Sequence, residues 1–148
     1  MEEPVTTNRG SPAGGRDDRL SFAFSATLRI FGDIPDLEDI SAHLGLQATY
    51  THRKHDKPRP ASKEFGHDMW AYSPVLNESE PLEKHIDELW EKLKPHKEYL
   101  LGLSKSVTMD VFLGYRSNCD HCGVEVPHTS LEMFQELKIP FGLSIIVV

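Results

Sequence analysis

From Ser21 onward, apolar residues fall at every second position. Phe22, Phe24, Ala26, Leu28 and Ile30 alternate with Ser25, Thr27 and Arg29. Successive side chains of a strand point to opposite faces, so this spacing predicts a half-buried strand. Asp36 then stands where a helix N-cap is expected, ahead of Leu37, Ile40 and Leu44 on one side, and Gly45 sits where a left-handed C-terminal cap belongs. Leu46, Ala48 and Tyr50 alternate again and predict a second strand, and Met69 to Tyr72 a short third one after a polar, Pro-containing loop.

The clearest helical spacing runs through Leu82, Ile86, Leu89, Trp90 and Leu93, with Pro81 at its start and Pro95 as its stop. A short connector leads to Val107, Met109, Val111 and Leu113, which alternate as a strand. Thr129 and Glu132 have the spacing of a capping box, in which each side chain satisfies the other's backbone at a helix start. They predict a last helix with Leu131, Phe134 and Leu137 inward and Pro140 beyond its end. Leu143 to Val148 is apolar on both sides, which suits a strand covered on both faces or a buried helix end.

The order strand, helix, strand, strand, helix, strand, helix, strand predicts an α+β domain. Its expected form is a ferredoxin-like βαββαβ unit extended by an additional helix and strand, with a mostly antiparallel sheet and the helices on one face. That domain is expected over residues 21–148. Residues 1–20 hold Pro4, Gly10, Ser11, Pro12, Gly14 and Gly15 and no aromatic residue, and are expected to form a disordered N-terminal tail.

Charge narrows the function classes. With 16 basic and 23 acidic residues among 148, the net charge is −7, which disfavours general attraction to nucleic acid or anionic lipid. No run of 18 apolar residues exists and the N-terminus has no basic-then-apolar leader, so a soluble protein without a membrane span is expected. Two cysteines only three positions apart make a poor disulfide framework, and a reducing, cytoplasmic compartment with unpaired thiols is expected.

Three places could carry chemistry. Cys119 and Cys122, with two residues between them and followed by Gly123, form the knuckle that presents two thiolates to one zinc ion. It is half a site, which His121 and His128, or His52, His55, His67 or Asp68 from another loop, would have to complete. The bland alternative is a solvated loop. No other cofactor is expected. A redox role would need a helix N-terminus beside the pair, and the expected helix starts several residues later.

The second place is the loop His52, Arg53, Lys54, His55, Lys57, Arg59 and Lys63, where Asp56 is the only acid between positions 52 and 63. The segment carries a formal +4 and leaves −11 for the rest. It suits phosphate, an acidic peptide or a nucleic-acid backbone, though the aromatic platforms of nucleic-acid binders only flank it. Otherwise it is a charged, solvated loop that keeps a hairpin from aggregating. Trp70 closes this candidate binding set, although it reads better as a core anchor. Third, His67 and Asp68 could form a general-base pair beside Trp70, except that neighbours on a strand face opposite ways. No phosphate loop, nucleophile elbow or carboxylate pair is present.

Several stretches resemble a bacterial family known as domain of unknown function 4279. They are the opening strand, Asp36-Leu37-Glu38-Asp39-Ile40 leading to Leu44-Gly45-Leu46, Thr51-His52-Arg53-Lys54, Trp70, the Leu82 to Leu93 helix, and Leu137-Lys138-Ile139-Pro140. The resemblance covers about residues 21–148. It implies a fold and no mechanism, since the family has no established catalytic residues. The family pattern often has glycine where this chain has His55, and it does not generally carry the cysteine pair. The expectation from sequence is therefore a non-catalytic binding or interaction module, immunity-type being one concrete form, with a protein partner and room for homo-oligomers. Its expected contact surfaces are the loop from His52 to Lys63 and the loop from Tyr115 to His128. The alternatives are a small zinc protein built on Cys119 and Cys122, and an enzyme using the His67/Asp68 region.

Overall fold

The computed structural model describes residues 19–148. Of the expected tail, residues 1–18 lie outside the described residues. Arg19 and Ser21 are already fastened: the Asn118 side chain donates to the Arg19 carbonyl at 2.7 Å and accepts from the Ser21 N–H at 2.8 Å.

Five strands form one sheet in the order β2-β3-β1-β4-β5. They are β1 (Phe22–Gly32), β2 (Tyr50–His52), β3 (Asp68–Tyr72), β4 (Thr108–Ser117) and β5 (Phe141–Val147). β1 lies antiparallel to both β3 and β4, β2 is antiparallel to β3, and only β5 runs parallel to its neighbour, β4. The order of the first four strands is compatible with the expected ferredoxin-like unit, and β5 is the added strand.

Helices α1 (Leu37–Leu44), α2 (Leu82–Leu93), α3 (Lys97–Leu103) and α4 (Glu132–Leu137) cover one face. One apolar cluster joins Ala26, Leu28 and Ile30 of β1, Met109, Val111 and Leu113 of β4, and Trp70 of β3 to the inward side chains of all four helices. The period-two pattern of β1 therefore selects the face, and the helical periods of α1 and α2 supply the residues that bury it. The other face is polar at its centre. Arg29 holds Asp110 through two bonds, of 2.7 and 2.6 Å, and lies over the Phe112 ring at 4.9 Å, while Thr27 and Ser73 share a bond of 2.6 Å.

Local chemistry sets several boundaries. Asp36 caps α1 by accepting from the Glu38 N–H at 3.0 Å, and Gly45 ends the helix at φ +62°, where only glycine sits without strain. Other boundaries depart from expectation. The alternation at Leu46 and Ala48 forms no strand, because the pairing with β3 starts only at Thr49, whose N–H donates to the Ala71 carbonyl, and continues through Tyr50, Thr51 and His52. Pro95 ends α2 as read, but the connector beyond it is helical: a 3-10 turn, Lys94–His96, leads into α3, which buries Leu100. Thr129 and Glu132 make no capping box. Glu132 instead accepts from the Trp90 indole at 3.1 Å and pairs with Lys94 at 3.6 Å, while residues His128–Leu131 wind as a 3-10 turn. The closing strand is not covered on both faces, for Phe141, Leu143, Ile145 and Ile146 all stay roughly half exposed at the edge of the sheet.

Candidate functional site

The basic loop between β2 and β3 is tied down at its root by one carboxylate. Asp68, the first residue of β3, accepts from the backbone N–H of Ile34 at 3.0 Å and of Lys54 at 2.8 Å. Arg53 lies 3.6 Å from the same group and donates to the carbonyls of Ile34 and Pro35, so it spans from β2 to the connection before α1. These backbone donors, with the nearby guanidinium, hold the Asp68 carboxyl below the usual carboxylate range.

Inside the loop, Asp56 accepts from the Arg53 N–H at 2.9 Å. The chain then folds back so that the His55 N–H meets the Phe65 carbonyl at 3.0 Å and the Phe65 N–H meets the Asp56 carbonyl at 2.9 Å. His55 adopts φ +74°, in the left-handed region that glycine occupies most freely, and its ring contacts Glu64 at 2.8 Å. A turn geometry explains why glycine suits that position, and the Glu64 contact gives a histidine something to offset the strain.

His52 is buried, stacked flat on Phe65 with ring centres 3.6 Å apart, and joined through Nδ1 to the Tyr50 hydroxyl at 2.9 Å. Its Nε2 is buried and without a partner. Burial first, and the neighbouring His67 second, push its pKa below the ordinary imidazole value. His67 lies with its ring 5.7 Å from His52 and 5.2 Å from Phe31. His67 and Asp68 face apart, as strand neighbours should: Asp68 spends both oxygens on the loop root and His67 joins an aromatic cluster.

Trp70 is fully buried and donates to the Ser41 hydroxyl at 2.9 Å, so its place in the candidate binding set is corrected: it is a core residue, out of a partner's reach. Lys54, Lys57, Arg59 and Lys63 are exposed, and among the described residues their side chains have no ion-pair partner. The loop thus separates into a fixed root, Arg53 and His55 included, and four outward cations.

At the far end of β4, Cys119 and Cys122 form a disulfide. The expectation of two unpaired thiols is therefore corrected, and the half-site of a zinc knuckle has its sulfurs bonded to each other. The turn is braced by the Cys119 N–H donating to Ser117 Oγ at 2.9 Å and by the Tyr115 hydroxyl donating to the Cys122 carbonyl at 3.1 Å. His121 is exposed beside Asp120 at 3.6 Å, and His128 opens the 3-10 turn several residues on. Among the described residues, no group of three or more His, Cys, Asp or Glu side chains is gathered for a metal ion.

A shallow depression of about 670 Å³ lies between α1 and β2, bordered by Glu38, Ser41, Gln47 and Thr51, and Glu38 is its only titratable group. Among the described residues, no helix is long and apolar enough to cross a membrane. The sequence pattern missed Asp68 as a clamp, because its partners lie 34 and 14 positions away and no periodicity reports such a bond.

Neither the curated proteins nor the solved structures contain a match to this chain. A family model does match, over residues 22–148, from the first residue of β1 to the end of the chain. The match takes in the Asp36 and Gly45 caps, the Asp68 clamp and the buried Trp70 in one continuous span. The chain belongs to the family described as domain of unknown function (DUF4279).

Proposed function

We propose that the protein works by binding rather than by catalysis, and that it presents the basic loop to an acidic surface of a protein partner. The observation that carries this reading is the division of labour in the loop. Asp68, Arg53, Asp56 and Phe65 fix its path, while the side chains of Lys54, Lys57, Arg59 and Lys63 face solvent with no ion-pair partner among the described residues. A surface that is ordered before contact loses less conformational entropy on binding, which raises affinity for the same contacts. The loop's formal +4 beside −11 elsewhere gives a local positive field that steers an acidic partner to this edge and away from the rest of the molecule. A toxin neutralised by an immunity-type protein is one such partner.

The test is affinity capture from native extract with the wild-type chain and with the triple variant Lys57→Glu/Arg59→Glu/Lys63→Glu, whose positions are exposed and outside the bonds of the root. A partner held in stoichiometric amount by the wild type, released by salt and missed by the variant, is the expected result. Equal recovery by both, or no stoichiometric partner with the wild type, refutes it.

A further inference from the structure

β5 closes the sheet with a seven-residue strand whose outer side has no neighbour among the described residues. Natural sheets blunt such edges with lysine, proline, a bulge or a covering segment, because an open row of backbone groups invites another strand. Among the described residues, β5 uses none of these. Residues 141–148 carry no charge and no proline, and the pairing with β4 runs unbroken from Phe141 to Val147. Phe141, Leu143, Ile145 and Val147 share the helix-side face, yet all are 45–60% exposed, for no helix reaches over them. Among the described residues, Phe134 of α4 reaches the start of the row at Phe141, with ring centres 5.0 Å apart.

The backbone fixes what could pair there. The Pro140 carbonyl accepts from the Val111 N–H and the Val148 N–H donates to the Ser117 carbonyl, so even-numbered residues turn their backbone toward β4. By alternation, Phe141, Leu143, Ile145 and Val147 point their N–H and C=O groups outward. We infer that the occupant is a second copy of this chain, added antiparallel along β5 about a two-fold axis through Ser144, to make a continuous ten-stranded sheet.

That register pairs Phe141 with Val147 of the second copy and Leu143 with Ile145, every one of them an outward-facing residue, and it uses the whole strand. On the other face it places Ile146 opposite Gly142. Gly142 has no need to be glycine within its own chain: its φ is not positive, and an added Cβ would meet only Phe112, at an ordinary 3.9 Å. Opposite a second copy, the missing side chain leaves room for Ile146.

Charge is least unfavourable to a second copy at this edge. Two chains of −7 repel over most of their surfaces, and this uncharged edge is where they can approach. Covering the half-exposed apolar residues would bury on the order of 500 Å² per copy and about 1,000 Å² in all, at the lower bound of a specific interface. The dimer is therefore expected to dissociate on dilution. β2 and the basic loop lie at the opposite edge, so a dimer displays two such loops at its far ends and gains avidity toward a repeated partner. This inference stands independently of the loop's partner, since neither edge contributes to the other.

Light scattering on the full chain at about 100 μM is expected to give twice the 16.8 kDa chain mass. The variant Leu143→Lys/Ile145→Lys should give the single-chain mass with an unchanged circular dichroism spectrum. Should that variant not fold, cysteine scanning decides the register. The two copies of residue 144 would sit about 4.5 Å apart between Cα atoms, within disulfide range, whereas the two copies of residue 143 would be diagonal neighbours at about 7–8 Å. Mild oxidation is therefore expected to link S144C chains through the introduced thiols and to leave L143C chains unlinked. A single-chain or higher-than-dimer mass for the wild type, or equal linking of S144C and L143C, overturns the inference.

Discussion

Removing the Asp68 carboxylate tests the loop root most sharply. In Asp68→Ala, the N–H groups of Ile34 and Lys54 lose their acceptor and Arg53 loses its nearby counter-charge. A hydrogen bond to a charged group contributes about 1.5–3 kcal/mol, and water can reach the exposed Lys54 end, so the two backbone bonds together should be worth about 2–3 kcal/mol. At roughly 2–4 °C per kcal/mol for a chain of this size, the melting temperature should fall by about 5–10 °C at pH 7. Asp68→Asn keeps one carbonyl acceptor and should lose about half as much. The sign with pH follows from the direction of the shift. A carboxyl held below its ordinary value stabilises the fold above that value, and the contribution is lost as pH falls through its folded pKa. The gap between wild type and Asp68→Ala should therefore be full at pH 7 and narrow below about pH 4 in urea or thermal unfolding. A melting temperature for Asp68→Ala within about 1 °C of wild type at pH 7 would show that the clamp holds nothing.

Three further outcomes are expected. His52 and His85 are both buried with their pKa pushed down chiefly by burial; His67, Asp56 and Asp68 face the first and Glu80 the second. The neutral rings are the stable form, so stability should be complete above about pH 6.5 and decline as pH falls below it, and the double variant His52→Gln/His85→Gln should show a shallower decline in urea midpoints. Wild-type protein purified without reductant should show no reactive thiol by mass spectrometry after alkylation under denaturing conditions. Because the ring closed by Cys119 and Cys122 is so short, Cys119→Ser/Cys122→Ser should cost only about 1–2 kcal/mol in chemical denaturation. Trp70→Ala should cost about 3–5 kcal/mol in the same assay through the cavity it leaves. Trp70→Phe should weaken stability without altering partner capture, and a capture defect in a folded Trp70→Phe protein would put that residue in the interface after all.

The local signals in the sequence were reliable where one residue and its near neighbours decide the geometry. The alternation through Leu28 and Ile30, the Asp36 cap and the left-handed Gly45 each depend on interactions within a few positions, and each stands in the structure as read. The failures share a cause in tertiary competition. Glu132 has the right spacing to cap α4, yet the Trp90 indole and Lys94, brought in by α2, take its carboxylate. Pro95 ends α2 as read, but the connector after it was expected to be irregular, and burial of Leu100 in the core draws it into α3. For Leu143 to Val148, apolar residues on both sides suggest a covered strand or a buried helix end, because such a pattern usually means burial. An edge strand awaiting a partner has the same pattern, and only the position of the helices separates the two. In the candidate site, sequence found the cations but not their division into fixed and free. That division is set by Asp68 and by the turn at His55, both of them products of chain path.

The proposed binding role requires that the basic segment be held in place before contact. Amide hydrogen exchange measured residue by residue tests it directly. The N–H groups of Ile34, Lys54, His55 and Phe65 should exchange about 100-fold or more slowly than in an unstructured chain, and those of Ile34 and Lys54 should lose that protection in Asp68→Ala. Exchange of all four within about tenfold of unstructured rates in the wild-type protein would contradict the claim and leave the segment a solvated loop.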